Sequence, residues 1–250
     1  MLSVPSEIER MGRMAIDNVR LGMEALLERD KAKAQAVYDT EEYIDYLDQQ
    51  LTQVLQKANT MQLPYEHARN IGGFFHVVSD LERVGDYAEN FADAAIICIN
   101  DQVTFSDVAV EELTIMMETT VKVLEYALDL FTHKNYAHLQ EIRSLENVVD
   151  IMEDDYQAAH IRRLGQGKCS AEAGILFSDA VSGLERISDH ATNIAFAIYN
   201  PEEEKYKLAG PDHGTVAAIR EEMSFQSEKG HHVEALLERR NASQQFTKKD

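Results

Sequence analysis

Two stretches of the chain repeat one twelve-residue pattern: Ser79-Asp-Leu-Glu-Arg-Val-Gly-Asp-Tyr-Ala-Glu-Asn90 and Ser182-Gly-Leu-Glu-Arg-Ile-Ser-Asp-His-Ala-Thr-Asn193. Both read Ser-x-Leu-Glu-Arg-x-x-Asp-x-Ala-x-Asn, so seven of the twelve positions are identical. The matched positions include two acids, an arginine and an asparagine, which core packing does not select. The repeat therefore predicts a duplicated architecture, and its acids are the first candidates for function.

Apolar residues that precede the first copy recur at helical spacing. They predict a first helix over about residues 5–27, with the stripe Ile8, Met11, Ala15, Val19, Met23 and Leu26. A second helix is predicted over about residues 31–59, with the stripe Val37, Ile44, Leu47, Leu51, Val54 and Leu55. No proline occurs between Pro64 and Pro201, which favours long uninterrupted helices.

Five further helices are predicted, over about residues 65–99, 108–132, 136–164, 170–199 and 216–240. The third and sixth helices carry the two copies of the pattern, 103 residues apart. We therefore expect an all-α protein of two pseudo-repeated antiparallel three-helix bundles with an extra C-terminal helix.

Three segments follow from this organisation. We expect a first three-helix repeat over 1–103, a second over 104–203, and a C-terminal helix and tail over 204–250.

Net charge and apolar run length limit the kinds of partner. The formal charge is −20 at pH 7, which disfavours nucleic acid and anionic lipid surfaces and makes cations the natural small partners. The longest apolar run, Ala94–Ile99, is too short to insert into a bilayer, and no signal peptide is visible. The two cysteines, Cys98 and Cys169, suit a reducing cytoplasmic compartment better than a disulfide.

Acids four residues apart lie on one helix face, and such pairs occur in both repeats and on the helix that precedes each. The eight acids are Glu41, Asp45, Glu82, Asp86, Glu146, Asp150, Glu185 and Asp189. Asn90 and Asn193 extend the two repeat pairs by one turn. If the helices pack side by side, four carboxylates and an amide converge, a ligand set that suits Mg²⁺, Ca²⁺, Mn²⁺ or iron.

An acidic surface without a metal is the alternative interpretation. With 44 acids in 250 positions, chance alone gives roughly eight pairs at this spacing. The spacing is therefore uninformative, and these acids would then form a solvated, salt-bridged face. Metal binding is favoured because two pairs recur in each half, in the same helix order and within the same flanking residues.

These motifs resemble PhoU-type proteins. The resemblance rests on Leu81–Asn90 and Leu184–Asn193, with the acid pairs upstream, and covers roughly residues 7–200. It implies a role in phosphate homeostasis without turnover, and a multinuclear metal cluster held by the eight acids. The metal is left open among iron, zinc, manganese, magnesium and calcium.

A finer resemblance is to the cytosolic C-terminal domain of bacterial Na⁺/phosphate cotransporters. It rests on His160–Leu164, Gly167–Ser170 and Gly174–Phe177, and on Gln62-Leu-Pro-Tyr-Glu-His-Ala-Arg69, which departs from the Gln-Pro-x-x-x-Asp-Leu-Arg stretch of free-standing regulators. It implies a partner, the membrane domain of a phosphate transporter, and a place at the inner face of the cell membrane. A homo-oligomer is left open.

Two other functions compete with this interpretation. One is a stand-alone PhoU-type regulator of phosphate uptake and signalling. The other is a di-iron carboxylate enzyme, which needs Glu-x-x-His on two helices of a bundle. Only Glu228-Lys-Gly-His231 has that spacing, and it lies outside the repeats, so we expect no enzyme.

Overall fold

The computed structural model describes residues 3–61 and 65–197, with the backbone alone over 65–69. The predicted helix over 216–240 lies outside the described residues, as do Glu228 and His231. Within them the chain forms six α-helices and no strand, which confirms the all-α fold. The helices are α1 (Val4–Glu28), α2 (Lys31–Asn59), α3 (Tyr65–Asn100), α4 (Asp107–His133), α5 (His138–Gly165) and α6 (Ala171–Ala197).

Polar side chains cap the N-termini of α2, α4 and α6, and the first helix of each half ends in the same way. The Asp30 carboxylate accepts from two backbone N–H groups of α2, and the Ser106 and Ser170 hydroxyls each accept one from the first turn of α4 or α6. Arg29 and Lys134 follow α1 and α4 in the left-handed conformation, with φ of 55° and 54°. Each donates its N–H to the carbonyl four residues earlier, so the repeat extends to these turns.

The predicted stripe of α1 forms the centre of the core. All six of its side chains are fully buried, and each contributes about 1.5–3 kcal/mol if large and aliphatic. On α2 the prediction was wrong at Val54, which is 48% exposed. Leu51 and Leu55 define the buried face, and Val54 lies about 100° around the helix from Leu55.

The two halves share one apolar core. Helices α1, α2 and α3 pack together, as do α4, α5 and α6, and the halves meet where α1 contacts α4 and α3 contacts α6. A part-buried hydrogen bond crosses the second contact, with His190 Nδ1 2.9 Å from Asp80 Oδ1. No helix within the described residues has the length and apolarity needed to cross a bilayer.

Candidate metal centre

Each half contains an antiparallel helix pair whose facing sides carry acids. In the first half α2 supplies Glu41 and Asp45, and α3 supplies Glu82 and Asp86. Asp45, Asp86 and Glu82 lie close enough to Glu41 to raise the pKa of its carboxyl group. Asp45 and Asp86 are exposed, Glu82 is half-buried and Glu41 is buried, so the cluster has a floor and a solvent-facing rim.

Glu41 forms the floor of this first acidic cluster. Its side chain is only 5% exposed, and neither carboxylate oxygen has a hydrogen-bond partner among the described residues. The carboxylate lies against the α3 backbone at Gly85, where any Cβ would collide with it. Glycine at this position therefore makes the space that the Glu41 side chain occupies.

Burial and the neighbouring carboxylates make Glu41, Glu82 and Asp86 hard to ionise. Burial, reinforced by Asp45, Asp86 and other nearby acids, raises the pKa of Glu41 to about 8. The pKa values of Glu82 and Asp86 are also raised, by burial first and neighbouring carboxylates second, although Arg83 opposes both shifts. A bound cation would reduce the repulsion between these carboxylates, because it places positive charge in the same part-buried site.

A second acidic cluster occupies the equivalent place between α5 and α6. Burial, followed by repulsion from Asp189 and Glu153, raises the pKa of Glu185 to about 7. Asp150 adds to this repulsion, and Arg186 reduces it. Glu146 is half-buried one helical turn before Asp150, on the same face of α5.

The serine that opens the repeated pattern supports the second cluster. The Ser182 hydroxyl donates to Glu153 Oε1 at 2.8 Å, and Gln157 bonds both the Ser178 hydroxyl and the Ser178 carbonyl. These bonds tie α5 to α6 directly beside the acids. They hold Glu153 in place toward Glu185 without neutralising either carboxylate.

The two clusters differ at two repeat positions. Ser188 replaces Gly85, and its hydroxyl is buried with no hydrogen-bond partner among the described residues. Thr192 replaces Glu89, whose carboxylate faces Asp86 and Asp45 in the first half. The first cluster is therefore richer in acids than the second, and it contains the one fully buried carboxylate of the two clusters, Glu41.

The two asparagines of the repeat lie at the edge of the clusters. Asn90 and Asn193 are both exposed. Asn90 lines a groove between α3 and α6, together with Phe91 and Arg186. The geometry places this amide beside the opposite half of the molecule, and its role as a ligand stays a prediction.

Three acids of the clusters were missed by the sequence analysis. Asp48 and Glu153 join the first and second clusters, three residues after Asp45 and Asp150. Both are acids 105 residues apart, so extending the upstream repeat by one turn would have found them. Glu89 has no acidic counterpart, and a search for duplicated residues could not find it.

The carboxylate oxygens of the clusters suit a hard cation, whereas their side chains do not have the conformations of a site with metal bound. Within residues 3–61 and 65–197, no three His, Cys, Asp or Glu side chains converge closely enough to hold one ion. The unpartnered Glu41 carboxylate, the surrounding acids and the oxygen-only chemistry nevertheless fit such a group. Loading would require rotamer changes in the exposed rim acids, which have the freedom to make them.

Two three-helix bundles with acid pairs on their second and third helices define a class of duplicated, carboxylate-rich helical proteins. A family model described as the PhoU domain matches residues 8–95 and 113–198. The chain belongs to this family.

Curated relatives and solved structures agree with this assignment. The phosphate-specific transport system accessory protein PhoU homolog of Clostridium acetobutylicum is 28% identical over 76% of this chain and 86% of its own length. PhoU homolog 1 of Thermotoga maritima, another such accessory protein, is 24% identical over 76% of this chain and 81% of its own. The crystal structure of PhoU from Pseudomonas aeruginosa superposes with a TM-score of 0.71 at 23% identity, covering 78% of this chain and 93% of that one.

Proposed function

We propose that the protein is a stand-alone accessory regulator of a phosphate transport system that binds metal ions through its two acidic clusters. The relatives it resembles are accessory proteins of such systems, and it spans 81% and 86% of the length of two of them. This supports the stand-alone alternative over the domain of a Na⁺/phosphate cotransporter. Its partner is then a membrane component of the transport system, which it meets at the cytoplasmic face.

One observation carries the metal proposal. The Glu41 carboxylate is buried, accepts no hydrogen bond from the described residues, and lies among further carboxylates. Burying an ionised carboxylate that accepts no hydrogen bond reduces the stability of the fold, unless the group is protonated or paired with a cation. Iron, manganese, magnesium, calcium and zinc are the candidate ions, and the oxygen-only ligands favour the harder ones. Residues at both clusters would hold the metal, which supplies compensating positive charge.

Metal content and metal-dependent thermal stability test this proposal. Protein purified without chelator is expected to contain metal, and chelated protein to gain thermal stability when the ion is returned. The double variant Glu82→Ala, Asp86→Ala should lose the contribution of the first cluster, and Glu185→Ala, Asp189→Ala that of the second. Elemental analysis and thermal unfolding measure both effects.

A matched control comes from α1. Glu24 and Glu28 have the same four-residue spacing but bind Lys33 on the surface. Replacing both with Ala should leave metal content unchanged. Metal-free native protein with no thermal response to any of the five ions would refute the metal proposal, while leaving family membership intact.

A further inference from the structure

An apolar patch lies at the end of the second helix pair, away from the acids. It consists of Ile161, Leu164 and Ile175, which are 67%, 42% and 63% exposed. Helices α5 and α6 meet at His160 and Gly174, where a Cβ at 174 would lie 2.6 Å from His160 Nε2. In an antiparallel pair the next residue on each helix turns toward the same side. Ile161 and Ile175 therefore share one side, and Leu164 lies one turn beyond Ile161 on it.

The first half of the molecule serves as an internal comparison. The offsets of the two helix pairs, 105 and 103 residues, place Gln56, Asn59 and Gly72 at the equivalent positions. None of these has a large apolar side chain, although all three are exposed. The fold therefore does not require aliphatic residues at this end of a helix pair, and their presence in the second half calls for another explanation.

Positive charge borders the α5 and loop side of the patch in an otherwise acidic protein. Residues 157–171 contain Arg162, Arg163 and Lys168 and no acid, whereas the whole chain carries −20. Arg162 and Lys168 are exposed, and Arg163 is bound to Glu112 at 2.6 Å. The nearest acid along α6, Glu172, is engaged at the helix N-terminus by a backbone N–H and by Ser170. A partner with carboxylates around an apolar centre fits this surface.

We propose that Ile161, Leu164 and Ile175, with Arg162 and Lys168, form a docking surface for an amphipathic acidic helix of a partner protein. A helix about 10 Å wide can rest on this end alone. An anionic bilayer is a plane, and it would also approach the exposed Asp154, about two turns before Ile161 on α5, and the exposed Asp179, about one turn after Ile175 on α6. A symmetric contact with a second copy would bring Arg162 and Lys168 close to the same positively charged residues of that copy, which would repel them.

A designed peptide provides the probe. One helical peptide of about 20 residues has leucines on one face and glutamates beside them, and its control has lysines in place of the glutamates. By fluorescence anisotropy, the full chain should bind the glutamate peptide about ten-fold more tightly than the lysine peptide. Chelated and metal-loaded protein should bind alike, so failure here is distinguishable from failure of the metal proposal.

Matched variants locate the binding. Ile161→Gln with Ile175→Gln, and separately Arg162→Glu, should each weaken binding of the glutamate peptide about ten-fold. Val54→Gln and Lys57→Glu change an exposed apolar residue and the counterpart of Arg162 in the first half, and should have no effect. All these side chains are exposed, so thermal unfolding should confirm that the variants are folded.

Three outcomes would overturn the proposal. The first is equal affinity for the two peptides, or binding that survives the double isoleucine variant. The second is binding to phosphatidylglycerol vesicles without preference between the peptides, which would assign the surface to lipid. The third is concentration-dependent dimerisation that the isoleucine variant abolishes, which would assign it to a second copy.

Discussion

At the scale of single residues, Glu41 is the most consequential side chain of the first cluster. Its folded-state pKa of about 8 lies above the ordinary value of 4.5, so the folded protein binds a proton that the unfolded chain releases. Between these two values the stability of the metal-free protein falls as the pH rises, by at most about 1.4 kcal/mol per pH unit from this group. Below about pH 4.5 Glu41 is protonated in both states and costs nothing.

The variant Glu41→Gln should remove this dependence. We expect metal-free Glu41→Gln to be more stable than the native protein by about 2–4 kcal/mol near pH 8, because no carboxylate must then be buried. Near pH 5 the two should be similar. Denaturant unfolding across this range in the presence of chelator measures the effect, and Glu42→Gln, at the exposed neighbouring position, is the control. Parallel pH profiles for Glu41→Gln and the native protein would contradict the assignment.

A second prediction concerns the glycine beside Glu41. Gly85→Ser copies the residue of the second half, and its Cβ would displace the Glu41 carboxylate from the α3 backbone. Because the carboxylate is the end of a flexible side chain, it can turn outward at little cost. We expect a stable protein whose pKa at Glu41 moves back toward 4.5 and whose first cluster binds metal differently from the native one. Carboxyl NMR titration and metal analysis would show both changes, and unchanged titration of Glu41 would contradict them.

At the scale of helices, the repeat extends to the way that α1 and α4 end. Arg29 and Lys134, 105 residues apart, both adopt the left-handed conformation after their helices. A side chain with a Cβ is strained there, whereas glycine is not. Neither turn was identified from the sequence, because the sequence has no glycine at either position.

Glycine should therefore stabilise the protein at position 134 and destabilise it inside a helix. Lys134→Gly is expected to increase the free energy of unfolding by about 0.5–1 kcal/mol, because it relieves the left-handed strain. Gln50→Gly, at an exposed position inside α2, should reduce it by about 1 kcal/mol. Chemical denaturation of the two variants gives both values, and a loss of stability in Lys134→Gly would argue against the left-handed turn.

At the scale of the whole molecule, the shared core makes the two halves interdependent. Helix α1 packs on α3 of its own half and on α4 of the other, and α3 packs on α6. The first of these contacts is close, because a Cβ at Gly22 would lie 2.7 Å from the backbone oxygen of Ala88. Ala88 lies between Asp86 and Glu89 on α3. The packing of α1 against α3 and the position of the first cluster therefore depend on one another.

The variant Gly22→Ala tests this coupling. The colliding atom belongs to the backbone and cannot turn aside, so we expect a loss of about 2–3 kcal/mol in stability. A single unfolding transition should be kept, because both halves share the core. Gly72→Ala is the matched control: nothing lies within 4 Å of the added methyl group, and it should stabilise by about 0.5–1 kcal/mol. A second transition in Gly22→Ala would show that the halves fold separately.

The duplicated pattern and the apolar spacing were sufficient to predict the six described helices and the acid pairs on the second and third helix of each half. These features depend on local periodicity, which a single chain displays directly. The sequence also predicted Val54 in the core. This was wrong because Val54 lies about 100° around α2 from Leu55, outside the buried face of that helix.

Only the packing of the helices determines which acid lies inside. Four-residue spacing makes Glu41 and Asp45 neighbours, but it does not distinguish the buried carboxylate from the exposed one. That difference comes from the notch at Gly85 on another helix, 44 residues away in sequence. The raised pKa of Glu41 and the unequal clusters follow from this contact, because burial and through-space repulsion depend on distances between helices rather than on order along the chain.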